Sequence, residues 1–448
     1  MGRWAAAFAI IAVFTSLVSA QPTTPRTNDQ LQAAITHWEQ VVRQNPSDAA
    51  FRINLGAAYA SVGRFDEAIA QFKQAVAIEP SMVEAYVDLG VAYAAADRSE
   101  EAIASFKKAI QIKPDFAPAF ANLASLYENQ GQIEDALENY EKAVSLNSSS
   151  PEAHFGLGRV YLKKKEYARS VQANLKAIEL NDTMVGAYNN LGLAYRSMGK
   201  LEEARRAYRK ALDASPEYVD ALYNLAVSYE YNSDGVRYGP GADLTRADEL
   251  YRQVLSKNPT DIEARYNLGA LLEKRAQHQQ AVATLEEVVK EQEDHFRAWN
   301  DLGVSYFNLG KYERAVHALE RAVALKPDYA EAHANLGRTY LEQQQLEDAL
   351  AEYNTATKLD PNFVEARTNL GALYASLGRL DDAIVQLEKA VEINPNHREA
   401  HTNLAIIYHF TKQLDKARVH FKRAEELGYH FHQETGEALK EATSKLKR

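Results

Sequence analysis

Residues 49–80 read AAFRINLGAAYASVGRFDEAIAQFKQAVAIEP, and this stretch decides the fold because the chain repeats it. The same order of small, aromatic and terminating residues returns every 34 residues, except for one interval of 43 between Pro216 and Pro259, giving eleven consecutive copies. A fixed period of this size is typical of stacked repeat proteins. The residues that close the copies, together with one in front of the first copy, are Pro46, Pro80, Pro114, Ser148, Asp182, Pro216, Pro259, Glu293, Pro327, Pro361, Pro395 and Tyr429.

Within each copy, large and small residues alternate between two predicted helices. We number each copy so that its closing residue is position 32. Position 7 is always Leu, and position 8 is Gly or Ala, as in Gly56 and Gly90. A glycine inside a helix costs about 1 kcal/mol relative to Ala, so its recurrence predicts that the second helix approaches too closely for a larger side chain. Position 24 supplies the large residue, as in Phe72, Tyr140 and Leu319, which predicts an interdigitating helix pair.

Signals at the helix ends agree with this reading. The second helix is expected to stop before the closing proline, because proline disfavours helix in the residue before it. The next residue is usually a good N-cap, and a carboxylate often follows three residues later, which is the capping-box pattern. The predicted boxes are Ser81 with Glu84, Ser149 with Glu152 and Thr260 with Glu263.

The order small residue, Leu-Gly, Tyr, Ala, aromatic, Ala and Pro resembles the tetratricopeptide repeat family from about residue 29 to residue 429. The resemblance implies an all-α, right-handed superhelical solenoid of about eleven helix pairs. The repeats also look like the repeat arm of the O-linked N-acetylglucosamine transferases, but we expect no catalytic domain after Tyr429. The resemblance therefore implies a recognition scaffold that is not an enzyme and needs no cofactor.

The chain is expected to divide as follows. Arg3, an apolar run and Val18-Ser19-Ala20 predict a signal peptide at residues 1–20, cut after Ala20. The run is shorter than the roughly 20 apolar residues needed to span a bilayer, so we expect a secreted or periplasmic protein with no membrane span after cleavage. A linker at 21–28 and a half-repeat cap helix at 29–46 come next. The eleven repeats occupy 47–429, with an insertion at about 231–243, and a capping helix at 430–448 ends the chain.

Composition excludes several classes of function. The formal charge of −10 and pI near 5.7 argue against nucleic acid as a partner. Cysteine is absent, which excludes disulfides, thiolate metal sites and cysteine nucleophiles. His397 and His401 have a spacing that could chelate a metal on a helix face, but His154 and His333 share the repeat position of His401. We therefore expect ordinary repeat variation and no metal site.

Position 6 of the first helix is the main functional signal. Asn is roughly 0.6 kcal/mol worse than Ala in a helix, yet it recurs there. The resemblance implies that this position faces the inner groove, where asparagines can pair with an extended peptide backbone. The alternative is inheritance by duplication together with hydrogen bonds between adjacent helices. The asparagines are Asn54, Asn122, Asn190, Asn224, Asn267, Asn335, Asn369 and Asn403, with Asp88, Gly156 and Asp301 in the other three repeats.

Aromatic residues on the same side concentrate in the middle repeats. With Asn224, Asn267 and the inserted loop they form the predicted peptide-binding site. The alternative interpretation of the insertion is a tolerated surface loop, since extra loop length costs little free energy. Trp299, at position 4, is expected to lie in the core. The groove-side aromatics are Phe155, Tyr223, Tyr231, Tyr266 and Phe307.

Position 2 is acidic in seven repeats, as in Glu84 and Glu152, and borders the groove in the family. A basic ligand is one interpretation, but capping explains these residues more simply.

The sequence thus predicts a protein-interaction scaffold that binds an extended peptide or partner segment in its groove. Two alternatives remain open. One is a structural or self-associating protein of the cell envelope that acts through its ends or convex face. The other is a substrate-recruiting subunit of a separate glycosyltransferase or other enzyme.

Overall fold

The computed structural model describes residues 28–429, whose regular elements are 23 α-helices. This confirms the predicted all-α solenoid class. The predicted signal peptide at 1–20 and capping helix at 430–448 lie outside the described residues, as does the predicted linker apart from Asn28. The fold divides after Val236 into two compact units, and each unit is described by itself.

The first unit has one leading helix, five helix pairs and the first helix of a sixth pair. Its helices are α1 (Asn28–Gln44), α2 (Ala49–Ser61), α3 (Phe65–Ile78), α4 (Val83–Ala95), α5 (Ser99–Ile112), α6 (Ala117–Asn129), α7 (Ile133–Leu146), α8 (Pro151–Lys163), α9 (Tyr167–Leu180), α10 (Val185–Ser197), α11 (Leu201–Ala214) and α12 (Val219–Tyr229).

The second unit starts with the second helix of the sixth pair, after the loop at 230–243 that carries the extra residues. Its helices are α13 (Leu244–Lys257), α14 (Ile262–Lys274), α15 (His278–Glu291), α16 (Phe296–Asn308), α17 (Tyr312–Leu325), α18 (Ala330–Glu342), α19 (Leu346–Leu359), α20 (Val364–Ser376), α21 (Leu380–Ile393), α22 (Arg398–Phe410) and α23 (Leu414–Glu426). Between residues 28 and 429, no helix is long and apolar enough to cross a membrane.

Helix pairing depends on the small residue at position 8, as the sequence predicted. A Cβ atom added to Gly56 would lie 2.7 Å from the ring of Phe72, and one added to Gly90 would lie 2.6 Å from the ring of Phe106. Both rings are completely buried. In each unit, helices adjacent in sequence pack together, and first helices of successive repeats also touch, as do α2 and α4 in the first unit and α14 and α16 in the second. These first helices therefore share a surface within each unit.

Tyrosines at position 11 join consecutive repeats, a role that the sequence analysis did not anticipate. The hydroxyl of Tyr59 donates to Glu39 at 2.7 Å, and that of Tyr161 donates to Glu141 at 2.9 Å. In both cases the acceptor lies 20 residues earlier, on the preceding second helix. Burial and the neighbouring carboxylate raise the pKa of both tyrosines to about 12, so the hydroxyl remains a donor. The same contact joins Tyr306 to Glu286, Tyr340 to Glu320 and Tyr408 to Glu388.

The N-caps were predicted one residue too early. In the turn before α8, Asn147 Oδ1 accepts the backbone N–H of Ser149 at 3.1 Å, and this side-chain turn uses one residue more than expected. Helix α4 likewise follows Met82 and not Ser81; the Met82 N–H donates to the Glu79 carbonyl at 3.1 Å, and Met82 makes no side-chain cap. Glu84 is therefore not part of a capping box. The predicted caps Ser81, Ser149 and Thr260 are replaced by Met82, Ser150 and Asp261.

Candidate functional site

Polar side chains at positions 5 and 6 meet where the first helices of neighbouring repeats touch. In the first unit, Asn224 Nδ2 donates to Asn189 Oδ1 at 3.0 Å. In the second unit, Asn335 Nδ2 donates to Asn300 Oδ1 at 2.9 Å. Each bond joins a position-6 amide to the position-5 residue 35 places earlier. We call the surface formed by the position-5 and position-6 residues of the first helices the first-helix face.

Several of the predicted position-6 asparagines are already engaged within the protein. Asn122 Nδ2 donates to the Pro118 carbonyl of its own helix at 2.9 Å. Asn267 Oδ1 accepts from Arg237 at 3.4 Å. Together with the bridges made by Asn224 and Asn335, these contacts favour the structural alternative at those positions.

Two other position-6 side chains are buried with unsatisfied polar atoms. Asn190 is 9% exposed, and Asp88 is 1% exposed. Neither Asn190 Nδ2 nor Asp88 Oδ2 has a hydrogen-bond partner in the part of the chain that the structure describes. An unsatisfied buried group costs about 1–3 kcal/mol. The remaining position-6 asparagines, Asn54, Asn369 and Asn403, are half-buried.

The two position-6 aspartates differ in their surroundings. Burial raises the pKa of Asp88 to about 7, and the charge of Glu84 adds to the rise. Burial also raises the pKa of Asp301, to about 6, but hydrogen bonds from Asn300 and Tyr266 oppose it. Tyr266 lies 35 residues before Asp301, whereas the equivalent residue before Asp88 is Ile53, which has no polar group.

Gly156 breaks the series of polar residues at position 6, and the reason is steric. A Cβ atom at this position would lie 2.3 Å from the ring of Tyr140. The hydroxyl of Tyr140 accepts a hydrogen bond from Arg159 at 3.1 Å, which holds the ring in place. The fourth repeat therefore has no room for an asparagine at position 6.

The predicted groove-side aromatics differ in the neighbours that they contact within their own unit. In the first unit, Tyr223 and Tyr231 are half-buried, and the backbone carbonyl of Tyr231 accepts from Arg205 at 2.9 Å. In the second unit, the ring of Tyr266 lies 4.6 Å from that of His295. Phe307 lies instead beneath Arg338, at 4.1 Å. The aromatics of each unit thus contact different neighbours.

Two arginines at position 9 were missed by the sequence analysis. Arg159 stacks over Phe155 at 5.0 Å and donates to the buried carboxylate of Glu128 at 2.7 Å. Glu128 also pairs with Lys163 at 2.8 Å. Burial lowers the pKa of Arg338, whose Nε has no partner among the described residues. The available signal was that position 9 is otherwise small or apolar.

The first half of the inserted loop is ordered by its own side chains. Asn232 is buried, and its Oδ1 accepts the backbone N–H groups of Asp234 and Val236 at 3.0 and 2.8 Å. Arg205 donates to the carbonyls of Ser228 and Tyr231, where the loop begins. This anchoring argues against a loosely tolerated insertion.

Side chains at position 4 support the turn between repeats. Trp299 Nε1 donates to the Glu293 carbonyl at 2.9 Å, and His401 Nε2 lies 3.1 Å from the Pro395 carbonyl. Trp299 is half-buried and lines an open cavity of about 440 Å³, so its assignment to the core was wrong.

His401 meets His420, with 2.9 Å between their Nδ1 atoms, and does not pair with His397. From residue 28 to residue 429, no three His, Asp or Glu side chains are grouped so as to hold a metal.

Family models match most of the chain. Tetratricopeptide repeat models match residues 26–80, 58–115, 105–138, 129–165, 151–183 and 192–232. The model of the cilia and flagella-associated protein 70 C-terminal domain matches residues 236–443. A search of curated proteins gives no match.

Among solved structures, Cut9–Hcn1 of the APC/C is 13% identical in sequence and has a TM-score of 0.50. The match covers 97% of this chain and 96% of the matched chain. Yeast Tom70 is 15% identical, with 89% and 96% coverage and a TM-score of 0.43. The protein YrrB, described as having an unusual peptide-binding site, is 25% identical, with 42% and 97% coverage and a TM-score of 0.34. At 13% identity, the likeness to Cut9–Hcn1 shows the fold alone. With the repeat models matching in succession and helices paired through a small position 8, the chain belongs to the tetratricopeptide repeat family.

Proposed function

We propose that this protein is a non-enzymatic scaffold that binds an extended segment of a partner protein along its first-helix face. The observation that carries the proposal is Asn190, a buried amide whose N–H donors lack a partner among the described residues. An amide offers both a donor and an acceptor, so it suits a peptide backbone of any sequence. A bound backbone carbonyl would supply the missing hydrogen bond.

The proposal distinguishes two groups of position-6 asparagines. Asn224 and Asn335 bridge adjacent helices and therefore stabilise the stack. Asn54 and Asn190 make no such bridge and are assigned to the partner. The predicted signal peptide supports a partner outside the cytoplasm.

An array of immobilised, uncharged 12-residue peptides tests this function with the full chain. We expect the wild type to bind a subset of peptides. The double variant Asn54→Ala, Asn190→Ala should bind that subset roughly 30-fold more weakly, because each of the two lost amide bonds is worth about 1 kcal/mol. Helix stability should not fall, since Ala is the better helix former.

The matched control is Asn139→Ala, which removes a half-buried asparagine from the second helix α7, away from the first-helix face. Its binding should equal that of the wild type. If no peptide binds to the wild type, or if the double variant binds as well as the control, the proposed function is wrong.

A further inference from the structure

Asp88 is a carboxylic acid placed where most repeats have an amide. It is 1% exposed, and neither a hydrogen bond nor an ion pair reaches it from residues 28–429. A buried carboxylate without a partner is expensive in free energy unless it is paired or protonated. The structure therefore leaves one strong acceptor unused in the second repeat.

Asp301 shows what a carboxylate at this position requires. It accepts hydrogen bonds from Asn300 on its own helix and from Tyr266 on the preceding first helix. In the second repeat these two places are occupied by Val87 and Ile53, which cannot donate. Asp301 has hydrogen-bond donors within the fold, whereas a donor to Asp88 must come from a bound partner.

A second carboxylate lies on the same side of α4. Glu84 is exposed, stands one helical turn before Asp88, and forms no ion pair with any described residue. Capping does not account for Glu84, because α4 is not capped by Ser81. The repulsion between Glu84 and Asp88 would be relieved by a cation, whereas a neutral donor would leave it in place.

Depth adds a further requirement. Because Asp88 is buried, its donor must be carried on a long, narrow side chain. Lys and Arg have their charge at the end of an aliphatic stem, which packs favourably on apolar surface. Their hydrogen bonds to a carboxylate are stronger than those from neutral donors.

We propose that Asp88, with Glu84, selects a Lys or Arg side chain of the segment bound to the first-helix face. This inference rests on the proposed function and adds a specificity to it. Asp88 sets which residue the segment presents at the second repeat, while the amides hold its backbone.

The test adds paired 12-residue peptides to the array of uncharged peptides, one with a central Lys and its twin with norleucine, the uncharged residue of similar shape. We expect the wild type to prefer the Lys peptides by about tenfold, the scale of one charge-assisted hydrogen bond. Asp88→Asn introduces the amide found in eight other repeats and should reduce the preference to about twofold or less. Asp301→Asn is the matched control and should keep the full preference.

The outcomes separate this inference from the proposed function. If the wild type binds the norleucine peptides as well as the Lys peptides, or if Asp88→Asn keeps the preference, the inference is wrong and the scaffold function stands. If the wild type binds neither set, the scaffold function fails and the inference fails with it.

Discussion

At the scale of single residues, one repeat position carries four different environments. Asn224 bridges two helices. Among residues 28–429, Asn190 Nδ2 has no acceptor and Asp88 Oδ2 has no donor. Gly156 makes room for an aromatic ring. The side chain that lies 35 residues earlier decides among the first three. The contacts of the position-6 residue therefore differ from repeat to repeat, because they depend on the side chains of the neighbouring repeat.

We predict that Gly156→Asn, which introduces the asparagine found at position 6 of most repeats, destabilises the fourth repeat. The new side chain must displace the ring of Tyr140, which Arg159 holds in place. Overpacking of this kind costs about 1–3 kcal/mol, which outweighs the gain of roughly 0.3 kcal/mol in helix propensity. Hydrogen exchange followed by mass spectrometry should show faster exchange in α7 and α8.

Gly199→Asn is the control for this substitution. Gly199 lies in a turn at φ +74° with no atom within 4 Å of the added Cβ, and Asn tolerates the left-handed region better than most residues. Exchange in neighbouring helices should be nearly unchanged. Unchanged exchange in Gly156→Asn would contradict the steric explanation.

At the scale of elements, the side chain at position 4 of a first helix pairs with position 23 of the second helix. His333 Nδ1 lies 2.5 Å from Glu352, and His401 Nδ1 lies 2.9 Å from His420. Hydrogen bonding to Glu352 raises the pKa of His333 above its ordinary value. Burial, with the nearby charges of His401 and Lys416, lowers the pKa of His420 to about 4. The same pairing therefore responds to pH in opposite ways in two repeats.

We predict that the last repeat loses stability in acid. His420 is held neutral in the fold, so its contribution is complete above the ordinary pKa of 6.5 and is lost as pH falls from there through about 4. After a discount for its partial exposure, the effect is on the order of 1 kcal/mol. Exchange in α22 and α23 should rise over this window relative to α20. His420→Gln should leave only the part of the rise that His401 contributes, because burial also lowers the pKa of His401.

His420→Glu recreates the pair found in the ninth repeat and should reverse the direction. The pKa of His401 would then be raised, so the stabilisation would be present in acid and lost as pH rises through the new pKa. If wild type, His420→Gln and His420→Glu share one pH profile in α22 and α23, the histidine pair does not control that repeat.

At the scale of the whole molecule, stability in each unit comes from contacts between neighbours. Every substantial helix contact joins helices that are adjacent or next but one in the chain. Repeat proteins built in this way respond to damage locally, because stability is a sum of repeat and interface contributions. Tyr208 in the fifth repeat is completely buried and packs against Gly192.

We predict that Tyr208→Ala, which costs about 3–5 kcal/mol by loss of a large buried ring, raises hydrogen exchange in α10, α11 and α12 only. Exchange in α2 to α5 should stay at the wild-type rate. Tyr208→Phe is the control, because the hydroxyl has no partner among the described residues and its removal should cost nothing. Equal acceleration across all twelve helices of the first unit would show that the unit unfolds as a whole.

The sequence by itself determined the repeat, its helix pairs and the reason for their pairing. A 34-residue period with Gly56 facing Phe72, copied along the chain, is local information, because the two residues lie in adjacent helices joined by a short turn. It also identified position 6 as polar and unusual. It placed the N-caps of α4, α8 and α14 one residue too early, because a backbone turn such as the bond from Met82 N–H to the Glu79 carbonyl comes before the helix.

Only the tertiary structure decided which polar atoms are left free. Asp301 accepts a hydrogen bond from Tyr266 in the preceding repeat, whereas the residue equivalent to Tyr266 in the repeat before Asp88 is the apolar Ile53. The pairing of His401 with His420 in place of His397 likewise arises between two helices. Residue type fixes what a side chain is able to bond, whereas packing of neighbouring helices fixes whether a partner within the protein has already taken that bond.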